Sequence, residues 1–296
     1  MNQWIVGDAQ DGRRLDAILK DLGAAPDVRR ARRMIEGGRC RVNGRRLTRS
    51  SHRCQAGDRI QTEDSATPSL EVLWKHGGLA AVSKPRGMEC AEGRGSPLTE
   101  ALGQAGLPGY VLAHRLDAET TGLLLVADDR HVSLAQDLFR NRACTKTYAA
   151  LVRGTPANDS GRLEGRLSRL GIVKGRPRFA LGSRGQEAIT DFHVLERSRQ
   201  SRCSLVAFAP RTGRTHQIRV QSAGWGHPLV GDTLYGTPAP EPWVPGLLLH
   251  AWILEFRLPG SAEPLTLKAP LPTDFRTALG AAGLDPSPQE PTFQSS

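Results

Sequence analysis

"HRLDAETTGLLLVA", His114 to Ala127, decides how the rest of the chain is read. As far as Thr121 it is charged and hydrogen-bonding; after Gly122 it is an unbroken apolar run. Such a run, bounded by turn residues, predicts a buried strand, and the polar half predicts a loop that the strand holds rigid at its mouth. Arg115 and Asp117 stand two residues apart on that loop. Alone, Asp117 also fits a turn former or a helix N-cap, with Arg115 as its structural salt-bridge partner.

Around this stretch, short apolar runs alternate with turn residues: "LEVLW", "LAAVSK", "YVLAH", "YAALVRG", "CSLVAFA", "HQIRV" and "LLLHAWILEF". Clear helical spacing is confined to His131–Arg142, where Leu134, Ala135, Leu138 and Phe139 share a face. Many strands and few helices predict an α+β domain on a central, mostly antiparallel mixed sheet, spanning 70–275. A polar linker is expected at 63–69 and a disordered tail at 285–296.

The N-terminal segment differs. Its residues 13–60 hold 14 Lys/Arg against 5 Asp/Glu, while the remaining chain carries 26 against 25, so the net charge of +10 is concentrated in one small region. Leu15, Ile18, Leu19 and Leu22 form the apolar stripe of one helix. Asp27 can cap a second helix, in which Val28, Ala31, Met34 and Ile35 face one way and Arg29, Arg30, Arg32 and Arg33 the other. Asn43-Gly44 and Ala56-Gly57-Asp58 are turn signals between short strands. The arginine face suits phosphate, because a planar guanidinium donates paired hydrogen bonds; docking onto an acidic protein is the alternative.

Composition narrows the field further. A chain of 296 residues, 39% of them hydrophobic, can bury a sizeable core, and its length allows one large domain or a large one with a small one. The N-terminus "MNQWIVGDAQ" lacks the basic and long apolar regions of a signal peptide, and no stretch approaches the roughly eighteen apolar residues of a membrane span. A cytoplasmic protein without a membrane partner is expected. Five widely spaced Cys with no C-x-x-C pair argue for reduced thiols rather than a disulfide framework, and neither they nor the eight His show metal-ligand spacing.

Two further regions bear on Asp117. "RTGRTHQIRVQSAGWGHPLVGDTLYG", Arg211 to Gly236, offers Arg211, Arg214 and Arg219 with His216 and Gln217 in a Gly- and Thr-rich stretch that suggests a tight concavity. An arginine delivered beside Asp117 would favour the ionised carboxylate. In "TKTYAALV", Lys146 and Tyr148 share a strand face, though Tyr148 fits a core aromatic as well. A basic, polyanion-binding module joined to a cleft with Asp, Arg and an aromatic suggests chemistry on a nucleotide whose base is drawn out of its stack. The residues alone reach a base-directed RNA enzyme and no further.

Resemblance extends the reading. Residues 13–62, through "RRLDAILKDL", "RRARRMIEGGRCRVNG" and "AGDRI", resemble the S-four-type RNA-binding domain, which implies binding to structured RNA. From Leu70 to Phe275 the chain resembles the RluA family of pseudouridine synthases. "HRLDAETTGLLLVA" is close to the family signature, and "VSKPRGM", "TKTYAALVRG", "RTGRTHQIRV", "GHPLVGDTLYG" and "LLLHA" follow the family's order. The resemblance implies isomerisation of uridine in structured RNA, large-subunit ribosomal RNA first, by a monomer needing no cofactor or metal. Asp117 matches the family's essential aspartate, Tyr148 the tyrosine that stacks on uracil and is implicated in proton removal, and Arg219 the arginine paired with the carboxylate. Arg115 matches the arginine that holds the RNA open, and Lys84 joins the RNA-binding set. His114, His216 and His250 are assigned to structural hydrogen bonds. Gln221, Ser83, Arg86 and Met88 depart from the residues usual in the family. The competing expectation is a non-enzymatic RNA-binding or ribosome-assembly factor that keeps the fold; a hydrolytic RNA glycosylase is a third.

Overall fold

The computed structural model describes residues 2–25, 27–36, 40–47, 49–62, 69–90, 96–173, 176–236, 243–291 and 293. The chain divides into two compact units, residues 1–68 and 69–296. The expected linker, apart from Ser69, lies outside the described residues.

In the N-terminal unit, β1 (Asn2–Ile5), α1 (Leu15–Asp21), α2 (Val28–Glu36), β2 (Cys40–Val42), β3 (Arg45–Leu47) and β4 (Arg59–Thr62) follow in order. The four strands make an antiparallel sheet in the order β1-β4-β2-β3. Asn43 and Gly44 both take positive φ, 50° and 78°, the backbone a two-residue hairpin between β2 and β3 requires. Asp27 accepts the Arg30 N–H at 2.7 Å, capping α2. Leu15, Ile18 and Leu19 from α1 and Ala31, Met34 and Ile35 from α2 pack with Val42 and Ile60 of the sheet. Strand β1 lies ahead of residue 13, so the folded unit begins earlier than the basic segment.

The larger unit holds β5 (Glu71–His76), β6 (Leu79–Lys84), α3 (Pro97–Gln104), β7 (Val111–Leu112), β8 (Thr121–Ala127), α4 (Val132–Arg140) and β9 (Cys144–Arg153), then β10 (Ser160–Val173), β11 (Arg176–Gly182), β12 (Gln186–Arg197), β13 (Cys203–Pro210), α5 (Gln217–Gly224), β14 (Leu249–Phe256), β15 (Leu265–Lys268) and α6 (Thr273–Ala281). Eleven strands form one sheet, ordered β11-β10-β12-β13-β9-β14-β8-β6-β5, with β15 on β14 and β7 on β8. This is the mixed, mostly antiparallel α+β architecture expected: β8 with β14 is the parallel pair, and the other pairings are antiparallel.

Strand β8 is buried at every position, as its apolar run predicts. Leu123, Leu124, Leu125 and Val126 pack with Ala80, Val82, Leu98 and Leu102. Gly122 marks where the loop becomes strand. Its φ is +106°, and a Cβ there would lie 2.2 Å from the Ala251 carbonyl oxygen. Only glycine lets β8 start this close to β14. On the other side of β14, Trp252 and Ile253 pack against Phe275, Ala278 and Leu279 of α6.

Two readings of local structure are corrected. "HQIRV" is not a strand: it enters helix α5, whose residues 217–222 are all buried. A helix submerged on every side loses the amphipathic signal that identifies helices in sequence. The hairpin β10–β11 went unread, because its long strands alternate arginine with glycine and few apolar residues. Helix α3 carries ordinary signals, with Ser96 accepting the Thr99 N–H at 3.2 Å and Pro97 opening the helix.

Among the described residues, no helix is long and apolar enough to cross a membrane, and all five cysteines are free. Part of the expected tail is described: Asp285 donates its N–H to Glu196 at 2.9 Å, and Lys268 pairs with Glu290 at 2.8 Å. Residues 292 and 294–296 lie outside the described residues.

Candidate active site

The loop at the mouth of β8 is fastened from beneath. Lys84, the last residue of β6, is 1% exposed, and its Nζ donates to the carbonyls of Pro85, Met88 and Ala118 at 3.0, 2.9 and 3.0 Å. Burial pushes its pKa down to about 8, which leaves the ammonium charged at neutral pH. Lys84 therefore does not reach RNA, and its placement in the RNA-binding set is corrected. Its three protons are consumed by carbonyls, one of them adjacent to Asp117. Ala118 O also accepts the Gly87 N–H at 2.7 Å, and Thr120 N–H closes the turn on Asp117 O at 3.0 Å. On the strand side, His114 accepts the Leu125 N–H at its Nε2, 3.0 Å, and stacks on Phe139 with centroids 4.1 Å apart. Arg115 is exposed and Asp117 is 25% exposed.

Arg219 meets Asp117 from α5. Its guanidinium is 4% exposed and forks onto Asp232, Nε to Oδ2 at 2.8 Å and Nη2 to Oδ1 at 2.9 Å. Its remaining arm, Nη1, points at Asp117 Oδ2 at 3.3 Å. Burial works against the charged form of Arg219, yet Asp232 and then Asp117 overturn that, and its pKa is raised. Asp232 is likewise penalised by burial and pulled down overall by Arg219 and by the N–H groups of Leu234 and Tyr235. Those two N–H groups donate to Oδ1 at 2.9 and 3.1 Å. The Tyr235 ring covers the guanidinium, with Cζ 5.3 Å from its centroid. Asp232 and Tyr235 were not singled out by sequence reading; in "GDTLY" the aspartate reads as a turn former, which it also is.

His216 caps α5 with φ +58°. Its Nδ1 lies 2.8 Å from the Tyr235 hydroxyl, and its Nε2 is 3.8 Å from Asp117 Oδ2. Gln217 holds the same turn, accepting from the Thr212 hydroxyl at 2.7 Å and the Arg214 N–H at 3.0 Å. Gln221, a departure from the family pattern, is buried among Thr190 Oγ1, Leu163 O and Ala188 O at 2.6, 2.9 and 3.0 Å and ties α5 to the strands beneath. Arg86, another departure, donates to Leu247 O and to Asp274 at 3.0 Å. It serves the fold and is withdrawn from the solvent.

Tyr148 pairs in register with Phe208 of β13 and Ala251 of β14. Burial and then the Asp117 charge raise its phenol pKa, keeping it neutral at physiological pH. A neutral ring is suited to stacking. Strand β11 brings Phe179 edge-on to His216, centroids 5.8 Å apart, and Arg176 to within 3.5 Å of Glu119. Residues 165–185 carry six Lys/Arg and no Asp/Glu, a local excess hidden by the balance of the whole unit. Of these, Arg166, Arg169, Arg176, Arg178 and Arg184 are exposed.

In the N-terminal unit Arg30 is half-buried and Arg32 exposed, while the side chains of Arg29 and Arg33 lie outside the described residues. Arg32 is partly engaged: its Nε donates to Asp16 at 2.7 Å. His52, Cys54 and Asp58 bring possible ligand atoms within 4.8 Å of one another. Asp58 already receives Asn43 Nδ2 and the Gln55 N–H, both at 2.8 Å, and burial pushes the Cys54 thiol up to about 11. The Asp58 carboxylate is thus committed to closing the turn.

A family model described as RNA pseudouridylate synthase matches residues 78–224, and one described as S4 domain matches 13–60. An uncharacterized RNA pseudouridine synthase of Bacillus subtilis is 31% identical over 299 residues, 93% of this chain and 96% of the relative. Ribosomal large subunit pseudouridine synthase D of Nitrosomonas europaea is 35% identical over 238 residues, 75% of this chain and 67% of the relative. The solved human RNA pseudouridylate synthase domain containing 1 superposes with a TM-score of 0.62 at 29% identity, over 79% of this chain and 94% of that one.

Proposed function

Because this chain belongs to the RNA pseudouridine synthase family, with an S4 domain at its N-terminus, we propose that Asp117 is the carboxylate with which it isomerises uridines of large-subunit ribosomal RNA. It works as a single chain in the cytoplasm. The observation that carries the assignment is the asymmetric ion triad: Arg219 is fixed by Asp232 through two bonds and extends one arm to a partly exposed Asp117. Such an arginine is oriented before substrate arrives, so no reorganisation is needed during the reaction.

Isomerisation breaks the bond from ribose C1′ to N1 of uracil and forms one from C1′ to C5; the C5 proton leaves and N1 gains one. No external electron carrier is needed. Asp117 acts on the nucleotide while the base is detached. Tyr148, kept neutral by burial and by the Asp117 charge, stacks on the uracil as it turns. Arg115, exposed two residues from Asp117, holds the RNA where the uridine has left its stack. Arg30 and Arg32 of α2, with Arg29 and Arg33 beside them in sequence, grip the phosphate backbone. The relatives named for ribosomal large-subunit activity support the choice of RNA.

Asp117→Asn is expected to abolish pseudouridine formation and leave RNA binding within about two-fold, since the substitution removes a charge without altering shape. Mapping pseudouridines in large-subunit ribosomal RNA from cells with the wild-type protein, the variant or neither checks both parts. Normal pseudouridine levels with the variant would sink the role of Asp117, and an unchanged large-subunit map without the protein would sink the choice of RNA.

A further inference from the structure

His216 is the one histidine near Asp117 whose second nitrogen faces the carboxylate, and its protonation pattern can be deduced. The Tyr235 hydroxyl accepts the Phe179 N–H at 3.1 Å. Its own proton then needs an acceptor, and His216 Nδ1 stands 2.8 Å away. An Nδ1 that accepts leaves the proton of the neutral ring on Nε2. Nε2 faces Asp117 Oδ2 at 3.8 Å, beyond hydrogen-bond length in the unliganded chain but on the same oxygen that Arg219 addresses at 3.3 Å. Among the described residues, Asp117 Oδ1 has no donor. The ring is surrounded by Asp117 and Asp232, which favour its charged form, and by Arg219 and Arg176, which oppose it; burial outweighs them all and keeps it neutral.

We propose that His216 is a positioning residue, which donates Nε2–H to Asp117 Oδ2 when substrate closes the site and so turns Oδ1 toward the target nucleotide. The chain Phe179 N–H, Tyr235 O–H, His216 imidazole and Asp117 carboxylate sets the tautomer from β11, and hydrogen bonds of this kind shorten in the substrate complex. The inference rests on Asp117 being the acting carboxylate.

Amide side chains separate this role from a purely conformational one. Glutamine can place an N–H near the position of Nε2, whereas asparagine reaches only as far as Nδ1. Backbone preference runs the other way, because asparagine tolerates φ near +58° better than glutamine. In steady-state assays on a uridine-containing RNA fragment, His216→Asn should lower kcat about 10- to 100-fold at unchanged RNA affinity, as expected for a lost bond to a charged group. His216→Gln should recover most of that loss. Tyr235→Phe, which leaves the backbone alone, should lower kcat about 3- to 10-fold with KM unchanged. Asparagine equal to or better than glutamine, with both variants folded by thermal melting, overturns the proposal, as does a fully active Tyr235→Phe. An Asp117→Asn control that still turns over would fail the underlying assignment instead, and that outcome is distinct from either.

Discussion

Two ion clusters in this molecule use the same residue types in opposite arrangements. In the N-terminal unit one carboxylate lies between two arginines: Asp16, 1% exposed, takes Arg14 at 2.7 Å and Arg32 at 2.7 Å, and both arginines are nearly half exposed. In the larger unit one arginine lies between two carboxylates: Arg219 is buried, Asp232 is fully buried and doubly bonded, and Asp117 is partly exposed and singly bonded. The first cluster is saturated at its centre and open at its rim. The second is saturated on one side and left incomplete on the side that faces solvent. Satisfied buried groups hold structure, and the incompletely satisfied one is where chemistry is possible.

The sharpest way to break this comparison is to remove the structural half of the second cluster. Asp232→Ala leaves the Arg219 guanidinium buried with one distant partner and leaves the Leu234 and Tyr235 N–H groups without an acceptor. Breaking one side of a buried pair costs about 3–5 kcal/mol. A urea melt should show that loss, and activity should vanish along with it. Asp117→Asn should remove activity at a stability cost below about 1 kcal/mol, because water can replace what Asp117 loses. Equal stability losses for the two substitutions would mean that both carboxylates are structural.

Acid separates the two units next. His250 is fully buried between Thr121 Oγ1 at 2.8 Å and Ala269 O at 3.2 Å, and burial lowers its pKa from 6.5 to about 4. The unfolded chain therefore binds a proton that the folded one refuses. The resulting stability is complete above pH 6.5 and is lost as pH falls toward 4; at pH 5 the loss is about 2 kcal/mol. Asp16 runs in the other direction. Its pKa is held down to about 2, chiefly by the Arg14 hydrogen bonds, so its contribution persists above 3.8 and is lost only as pH falls through 2. Hydrogen exchange at pH 7 and pH 5, corrected for the intrinsic rate, should show β8 and β14 opening more readily at the lower pH while α1 is unchanged. Faster opening of α1 at pH 5 would contradict the assignment of the Asp16 cluster as acid-resistant.

Legibility in the sequence followed the same division. Strand β8, helix α4 and the α1–α2 stripe could be read directly because each shows a clean period or an unbroken apolar run. Asp117 and Arg219 were reachable through ordered motifs, although spacing alone left Asp117 a turn former. Lys84 was misread, since a lysine between a strand and a proline looks solvent-exposed; what buries it is the convergence of three carbonyls from two loops, which no local pattern encodes. Asp232 escaped notice for a related reason. Its turn-forming bonds to Leu234 and Tyr235 are local, but the fork it presents to Arg219 exists only after α5 and the following loop have packed. Helix α5 was hidden by burial on all sides, and the β10–β11 hairpin by its scarcity of apolar residues.

The smallest effect tests the first cluster on its own terms. Asp16→Asn keeps the shape of α1 and removes the charge that Arg14 and Arg32 share. The pKa difference corresponds to about 2 kcal/mol, but the two guanidinium groups are bathed in solvent, so roughly 1 kcal/mol should remain, diminishing with added salt. The substitution also frees the Nε of Arg32, which now faces inward. If α2 contacts the phosphate backbone, RNA affinity at low salt should rise slightly and the salt dependence steepen by less than about one counterion, because one more donor becomes available to phosphate. Filter binding across a salt series measures both. A fall in affinity would show that Asp16 orients Arg32 toward RNA, and the N-terminal cluster would then resemble the Arg219 cluster, in which a buried carboxylate aims an arginine outward.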